Sequence, residues 1–270
     1  MIVKSNIHTH TKYCDGRYTI EEMIQRAIEL GFDTLGISPH SYISFDKGPF
    51  LVKPQEFVEE MDKLKEKYNG KIDILTGIEL DYFGENNIKT DYVIGSVHFI
   101  EVGEGYFCCE DTAKNVLEGF EKLYKGNAKK FYEDYYTTVI KMVKKFKPDV
   151  IGHYDILTKF NDSTKIIDVE NADYKKVALD TVDRILEIKN DIVFEVNTHG
   201  MYRGYKSEPY PAKFILEYLA KIGGRVMLSS DSHDIISLGY KYEELCKYLK
   251  TLGFDFIYEL KKDGFKKLKI

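Results

Sequence analysis

The feature that most constrains this chain is the alternation of short apolar runs with longer amphipathic stretches. Runs of strand character lie at 2–8, 34–38, 72–79, 92–98, 150–153, 192–197 and 226–229. Helix signals stand between them. Thr19, with Glu22 three residues on, forms a capping box, and Gly31 stops the helix it opens. Pro54 suits the first turn of a helix that carries Phe57, Met61 and Leu64 at three-to-four spacing. Further helical stretches end near Phe146, span roughly 174–189, and open at Pro211. Such units require parallel strands with helical crossovers, in a closed barrel or an open doubly wound sheet. Residues 103–111 read as a polar insertion, either a lid or a surface loop. Residues 254–270 read as a C-terminal β extension about a Lys-Asp-Gly turn, so 1–270 is expected to be one domain with that appendage.

The reactive side chains decide between the two folds. His8 and His10 end the first run, His40 follows the second, and Glu79 ends the third. His98 and His153 end the fourth and fifth. His199 follows the sixth, Asp231 and His233 follow the seventh, and Asp15 lies in the first loop. In a barrel the carboxyl ends of parallel strands converge on one face. An open sheet would spread them along an edge. The pattern favours a barrel of seven strands. His-Thr-His and Asp-Ser-His also place two ligands at i and i+2, on one side of a strand. One histidine at a strand end is an ordinary hydrogen-bonding residue, and Glu79 or Asp15 alone is an ordinary solvated acid. The metal reading rests on their falling at strand ends together. Imidazole and carboxylate without thiolate suit zinc, iron(II), manganese or magnesium.

Bulk properties exclude other classes. The chain has 270 residues, 43% hydrophobic and 31% charged, with a formal net charge of -5. That balance argues against nucleic-acid binding through bulk electrostatics. No apolar run approaches the roughly 20 residues of a membrane span. The first residues run straight into a strand pattern, which leaves no room for a signal peptide. Cys14, Cys108, Cys109 and Cys246 match neither a zinc ribbon nor a disulfide framework. A cytoplasmic protein with reduced cysteines is expected.

At these residues the chain resembles the polymerase-and-histidinol-phosphatase (PHP) family. The matching motifs are His-Thr-His at 8–10, Asp-Gly at 15–16, Ser-Pro-His at 38–40 and Gly-Ile-Glu at 77–79. Ser-Val-His at 96–98, Gly-His at 152–153 and Ser-Asp-Ser-His at 230–233 complete them. The resemblance implies a distorted (β/α)7 TIM-like barrel with two or three divalent ions (Zn, Mn or Fe(II)) at the carboxyl ends of the strands. It implies His8, His10, Glu79 and Asp231 around a first ion. Glu79, as a bridge, joins His98 and His153 around a second, and Asp15, His40 and His233 surround a third. Within the family, the stretches 152–160 and 195–203 resemble histidinol-phosphate phosphatases. The implied activity is hydrolysis of L-histidinol phosphate to L-histidinol and phosphate, in histidine biosynthesis. An arginine is usual where this chain has Lys159, which keeps the charge but loses the bidentate fork.

Three divalent ions would bring six positive charges against three from Asp15, Glu79 and Asp231. The site would stand at about +3, ready for a phosphate dianion and a hydroxide that attacks phosphorus. Arg203, then Lys159 and Arg17, are the candidate phosphate contacts. Asp231, His233 or a bound water would protonate the leaving oxygen. His199 has no place in the ligand scheme and is assigned to the substrate pocket. Tyr42, with Phe45, Tyr202 and Tyr205, would stack on the imidazole. The partner is a small-molecule phosphate ester, not nucleic acid or membrane. Competing readings are an amidohydrolase, a nuclease of the same family, and a metal-binding protein without activity.

Overall fold

The computed structural model describes residues 3–270. From the amino end, β1 (Ser5–Asn6) leads to α1 (Ile20–Glu29), and β2 (Thr34–Ile37) to α2 (Pro54–Lys67). β3 (Asp73–Asp81) and β4 (Tyr92–Ser96) follow, then a hairpin of β5 (Phe99–Val102) and β6 (Gly105–Cys108). After α3 (Ala113–Tyr124) and α4 (Ala128–Phe146), β7 (Val150–Ile151) leads through α5 (Asn161–Thr164) to α6 (Ala172–Ile188). β8 (Val193–Asn197) leads through α7 (His199–Tyr202) to α8 (Lys213–Ile222), and β9 (Arg225–Ser229) to α9 (Tyr242–Thr251). A last hairpin joins β10 (Phe256–Lys261) to β11 (Gly264–Lys269).

Seven strands form one parallel sheet in the order β1-β2-β3-β4-β7-β8-β9. The ends of this sheet meet. Ser232 N–H donates to the His8 carbonyl at 3.1 Å, and His10 N–H donates to the Ser232 carbonyl at 2.8 Å. Ser230 N–H donates to Asn6 Oδ1 at 2.9 Å. The result is a nearly closed seven-stranded barrel surrounded by helices, as expected. The distortion lies in β1 and β7, which contribute two ladder residues each. Of the strand expected over 2–8, position 2 lies outside the described residues, and only Ser5–Asn6 pairs regularly. Beyond Asn6 the chain carries His8 and His10 into the barrel mouth, and its backbone bonds pass to Ser232 and Ser38.

Side chains fill the barrel in layers. Tyr92 lies across β2 and β3, where Gly36 and Gly77 make room for it. A Cβ at either position would fall 2.2 or 2.1 Å from the tyrosine head. The buried hydroxyl of Tyr92 donates to the Ile7 carbonyl. Around it pack Ile7, Leu75, Ile94, Val150, Val193, Met227 and Leu260. Leu260 comes from the C-terminal hairpin, which closes this end. Ser5 Oγ donates to the Leu260 carbonyl at 3.0 Å, and Lys4 N–H to Glu259 Oε1 at 2.6 Å. A larger apolar layer lies between barrel and helices. The capping box at Thr19 forms as read, with Glu22 Oε2 accepting Thr19 N–H at 2.8 Å.

Three segments differ from expectation. The insertion at 103–111 belongs to an antiparallel hairpin in which Phe99 faces Cys108, so its second arm returns to the barrel mouth. Pro211 does not open α8. Tyr210 exchanges backbone hydrogen bonds with Asn197 at 2.8 and 3.1 Å, which keeps the chain extended until Ala212 caps the helix. Helix α9 lies outside the expected elements, although Tyr242, Leu245, Cys246 and Leu249 carry its buried face. No helix of the described residues is long and apolar enough to cross a membrane.

Candidate metal centre

The carboxyl ends of the barrel strands gather all nine expected ligands. Four of their atoms define the centre. His8 Nε2, His10 Nε2, Glu79 Oε2 and Asp231 Oδ1 are buried, and none has a hydrogen-bond partner. His8 Nε2 lies 3.4 Å from Glu79 Oε2 and 3.5 Å from Asp231 Oδ1. His10 Nε2 lies 3.5 and 3.1 Å from the same two oxygens. Four donors about 2.0–2.1 Å from a tetrahedral ion would stand about 3.3 Å apart. Burying four unpaired polar atoms costs free energy unless something satisfies them. The donor set therefore fits a divalent cation in type, spacing and unmet demand.

A second group surrounds the other oxygen of Glu79. His98 Nε2 is 3.2 Å and His153 Nε2 2.8 Å from Glu79 Oε1, which also accepts from Ser96 Oγ at 2.8 Å. Glu110 Oε1, from the end of the hairpin, lies 3.5 Å from His98 Nε2. In a third group, Asp15 Oδ2 lies 3.5 Å from His40 Nε2 and 3.1 Å from His233 Nε2. His40 Nδ1 lies 2.7 Å from Glu79 Oε2 but out of line for a hydrogen bond. The His10 ring stacks on His233 with centroids 4.2 Å apart.

Electrostatics match the geometry. Burial opposes the charge on His8, but Asp231, Glu195 and Glu79 outweigh it and raise that imidazole well above its ordinary value. Burial likewise opposes ionisation of Glu79, yet His40, His8 and His98 hold its carboxyl well below the usual range. Asp231 is held down by His8 and His199 against its own burial. His10 goes the other way: burial, with the neighbouring His233 and His40, lowers it to about 3, so it stays neutral. The acids remain ionised and the cage as a whole attracts positive charge.

Local backbone serves the same end. Asp231 has φ +47, in the left-handed region that non-glycine residues enter at a cost of about 1 kcal/mol or more. The other described non-glycine residues with positive φ flank helices. The turn at Asp231 directs its carbonyl to His199 Nδ1 at 2.9 Å and His233 Nδ1 at 3.0 Å. Its carboxylate is left facing His8 and His10.

Two carboxylates absent from the expected set stand behind histidines. Glu195 Oε1 lies 2.6 Å from His8 Nδ1. Asp81 Oδ2 lies 3.3 Å from His98 Nδ1 and accepts His98 N–H at 2.7 Å. A visible signal existed for both. Asp81 is two residues from Glu79 on the same strand face, and Glu195 is an acid inside an apolar strand.

A cavity of about 640 Å³ opens over the cluster, lined by Arg17, Arg203, Lys159, Glu110, His199 and the exposed edges of the ligands. Two of the expected substrate contacts already have protein partners here. Tyr42 does not line this cavity; it is 40% exposed and packs edge-on against Phe50, while its carbonyl accepts Glu85 N–H. Lys159 reaches the cavity, but Glu110 engages its ammonium at 3.0 Å through both its carbonyl and its carboxylate. His199 joins the site itself, with its ring 4.8 Å from that of His233.

A family model for the PHP domain matches residues 6–199. The chain belongs to the PHP domain family. Histidinol-phosphatase of Bacillus subtilis is 23% identical over 268 residues, covering 89% of this chain and 97% of that protein. Histidinol-phosphatase of Saccharomyces cerevisiae is 25% identical over 288 residues, covering 92% of this chain and 80% of that one. A crystal structure of histidinol phosphate phosphatase from Lactococcus lactis, complexed with zinc, L-histidinol and phosphate, matches with TM-score 0.74. It covers 98% of this chain and 99% of that chain at 19% identity, a likeness of fold.

Proposed function

We infer that this PHP-domain chain is a metal-dependent phosphomonoesterase that hydrolyses L-histidinol phosphate to L-histidinol and phosphate. The observation that carries this reading is the set of four unpaired, buried atoms of ligand type beneath a cavity that Glu79 and Asp231 help to line and whose wall carries Arg17 and Arg203. A cationic floor and two guanidinium groups suit a phosphate dianion. Glu110, Asp46 and Asp111 line the same cavity and suit the ammonium and imidazole of the amino alcohol. The histidinol-phosphatase relatives, matched over most of their length, point to the same substrate.

His8, His10, Glu79 and Asp231 would hold a first ion, and Glu79, His98 and His153 a second. Asp15, His40 and His233 would hold a third. Zinc, manganese and iron(II) all suit these donors. Bound there, such ions supply Lewis-acid stabilisation of the phosphoryl oxygens and a water nucleophile near neutral pH. The side chains do the rest. Arg17 and Arg203 orient the phosphoryl group, with Lys159 and His199 beside them. Asp231 and His233 are the proposed catalytic groups, since a water nucleophile needs an acceptor and an alcohol leaving group needs a donor. Burial opposes the charge of His233, but Asp15 and Asp231 raise its value, which favours a proton held for donation. With two ions bound His233 is free to donate; with three it is a ligand. In the balance, water oxygen bonds to phosphorus, the ester P–O bond breaks, and the alcohol oxygen takes up a proton. The whole span 1–270 is proposed as one working unit, because the C-terminal hairpin closes the end of the barrel opposite the site. A biosynthetic role of this kind belongs in the cytoplasm.

The test is phosphate release from L-histidinol phosphate beside a panel of other phosphate esters, after chelation and with zinc, manganese or iron(II) restored. Fast, selective, metal-dependent release is expected. Preference for another ester would move the substrate, and metal-independent release would overturn the mechanism.

A further inference from the structure

Glu195 is fully buried in β8, is not a proposed ligand, and does not line the cavity. Its two oxygens receive three contacts. His8 Nδ1 lies 2.6 Å from Oε1. His153 N–H donates to Oε2 at 2.7 Å, and Asn197 Nδ2 donates to Oε2 at 2.9 Å. The orientation of Asn197 is set independently, because its Oδ1 accepts His199 N–H at 2.8 Å while its nitrogen also reaches Asp231 Oδ2 at 3.2 Å. One carboxylate thus touches the back of His8, the backbone of His153 and an amide bound to Asp231.

We propose that Glu195 is the positioning residue of the metal centre: it keeps the proton of His8 on Nδ1, leaves Nε2 bare for the first ion, and ties that ligand to the strand bearing His153. The proposal rests on the reading above that His8 ligates through Nε2. A carboxylate behind a ligating imidazole fixes both tautomer and ring angle. The residue type matters here as much as its size. A carboxylate only accepts, and all three groups facing it can donate. Glutamine has the same shape but brings an NH2. Turned towards His153 and Asn197, that NH2 meets two donors. Turned towards His8, it makes Nδ1 an acceptor, moves the proton to Nε2, and blocks the ligating atom.

The test compares wild type, Glu195→Gln, Glu195→Asp and Glu195→Ala, each stripped by chelation and reloaded with zinc. The readouts are zinc content, zinc affinity by chelator competition, and melting midpoint in both states. Glu195→Gln is expected to weaken the tightest zinc by about 10–100-fold. It should also shrink the gain in midpoint that zinc gives, and Glu195→Asp, which still only accepts, should recover part of both. An imidazole N–H signal sheltered from exchange in the zinc-loaded wild type should vanish in Glu195→Gln. Zinc affinity unchanged in Glu195→Gln, with equal drops in both midpoints, would make Glu195 merely structural and overturn the proposal. A wild type that binds zinc but spares histidinol phosphate would overturn the substrate reading and leave the affinity comparison standing.

Discussion

The two ends of one barrel are built to opposite rules. At the amino end, Ile7, Leu75, Tyr92, Ile94, Val150, Val193, Met227 and Leu260 fill the interior and satisfy one another. At the carboxyl end, the same strands carry polar groups. β3 goes from Leu75 to Glu79, β4 from Tyr92 towards His98, and β9 from Met227 towards Asp231. There His8 Nε2, His10 Nε2, Glu79 Oε2 and Asp231 Oδ1 are buried and unpaired, and the backbone at Asp231 is strained. Within a few residues of strand the chain passes from groups that stabilise the fold to groups held in place at its expense. Stability and chemistry are therefore separable by mutation along a single strand.

The sharpest break of that contrast is Glu79→Gln. It should lower kcat/KM by more than about 100-fold, beyond the usual loss of a supporting residue, and cut metal content. The metal-stripped variant should still fold, as judged by circular dichroism. Leu75→Ala, four residues away on the same face, should do the reverse. A cavity in the plug should cost about 2–5 kcal/mol and lower the melting midpoint by about 5–15 °C. Metal content and turnover per folded molecule should hold. If Leu75→Ala abolished metal binding in folded protein, the two ends would not be separable.

The pH dependence of the stripped protein sharpens the same comparison. Burial disfavours charged His98, but Glu110 and Glu79 outweigh it and raise it to about 10. A raised folded value means stabilisation present below about 6.5 and lost as pH climbs through about 10. Glu110 is opposed by its burial but lowered by Lys159 and His98 to about 2, so its contribution holds above about 4.5 and fades towards pH 2. The plug adds nothing in this window, since burial pushes its Tyr92 hydroxyl well above the phenol range. Stripped protein should therefore melt progressively lower between pH 6.5 and 9, and the gain in midpoint on adding zinc should widen. A constant gain across that range would contradict this.

The smallest effects lie at the cavity wall. Arg203→Ala should raise KM for phosphate esters about tenfold, the worth of a charged hydrogen bond. Tyr42→Ala should leave both kinetic constants within about twofold, because Tyr42 packs away from the cavity. Steady-state kinetics on the two variants together separate wall from surface.

Legibility in the sequence followed this division. The gathering of candidate ligands at strand ends was readable because the carboxyl ends of parallel strands must converge. Glu195 escaped because its partner His8 lies 187 residues away and only closure of the barrel brings the two together. Asp81 meets His98 across the neighbouring strands β3 and β4, a register that its place two residues from Glu79 does not reveal alone. Tyr42 was misplaced because a loop position does not determine which way a side chain turns. The hairpin at the 103–111 insertion was hidden by a polar, glycine-bearing tip between Val102 and Gly105. Pairing across the barrel seam through Ser232 left no local pattern at all.

Anomalous scattering from zinc-loaded crystals tests the metal centre most directly. A peak about 2.0–2.2 Å from His8 Nε2, His10 Nε2, Glu79 Oε2 and Asp231 Oδ1 is the predicted result. Zinc bound only elsewhere, with those four atoms bridged by water, would contradict it.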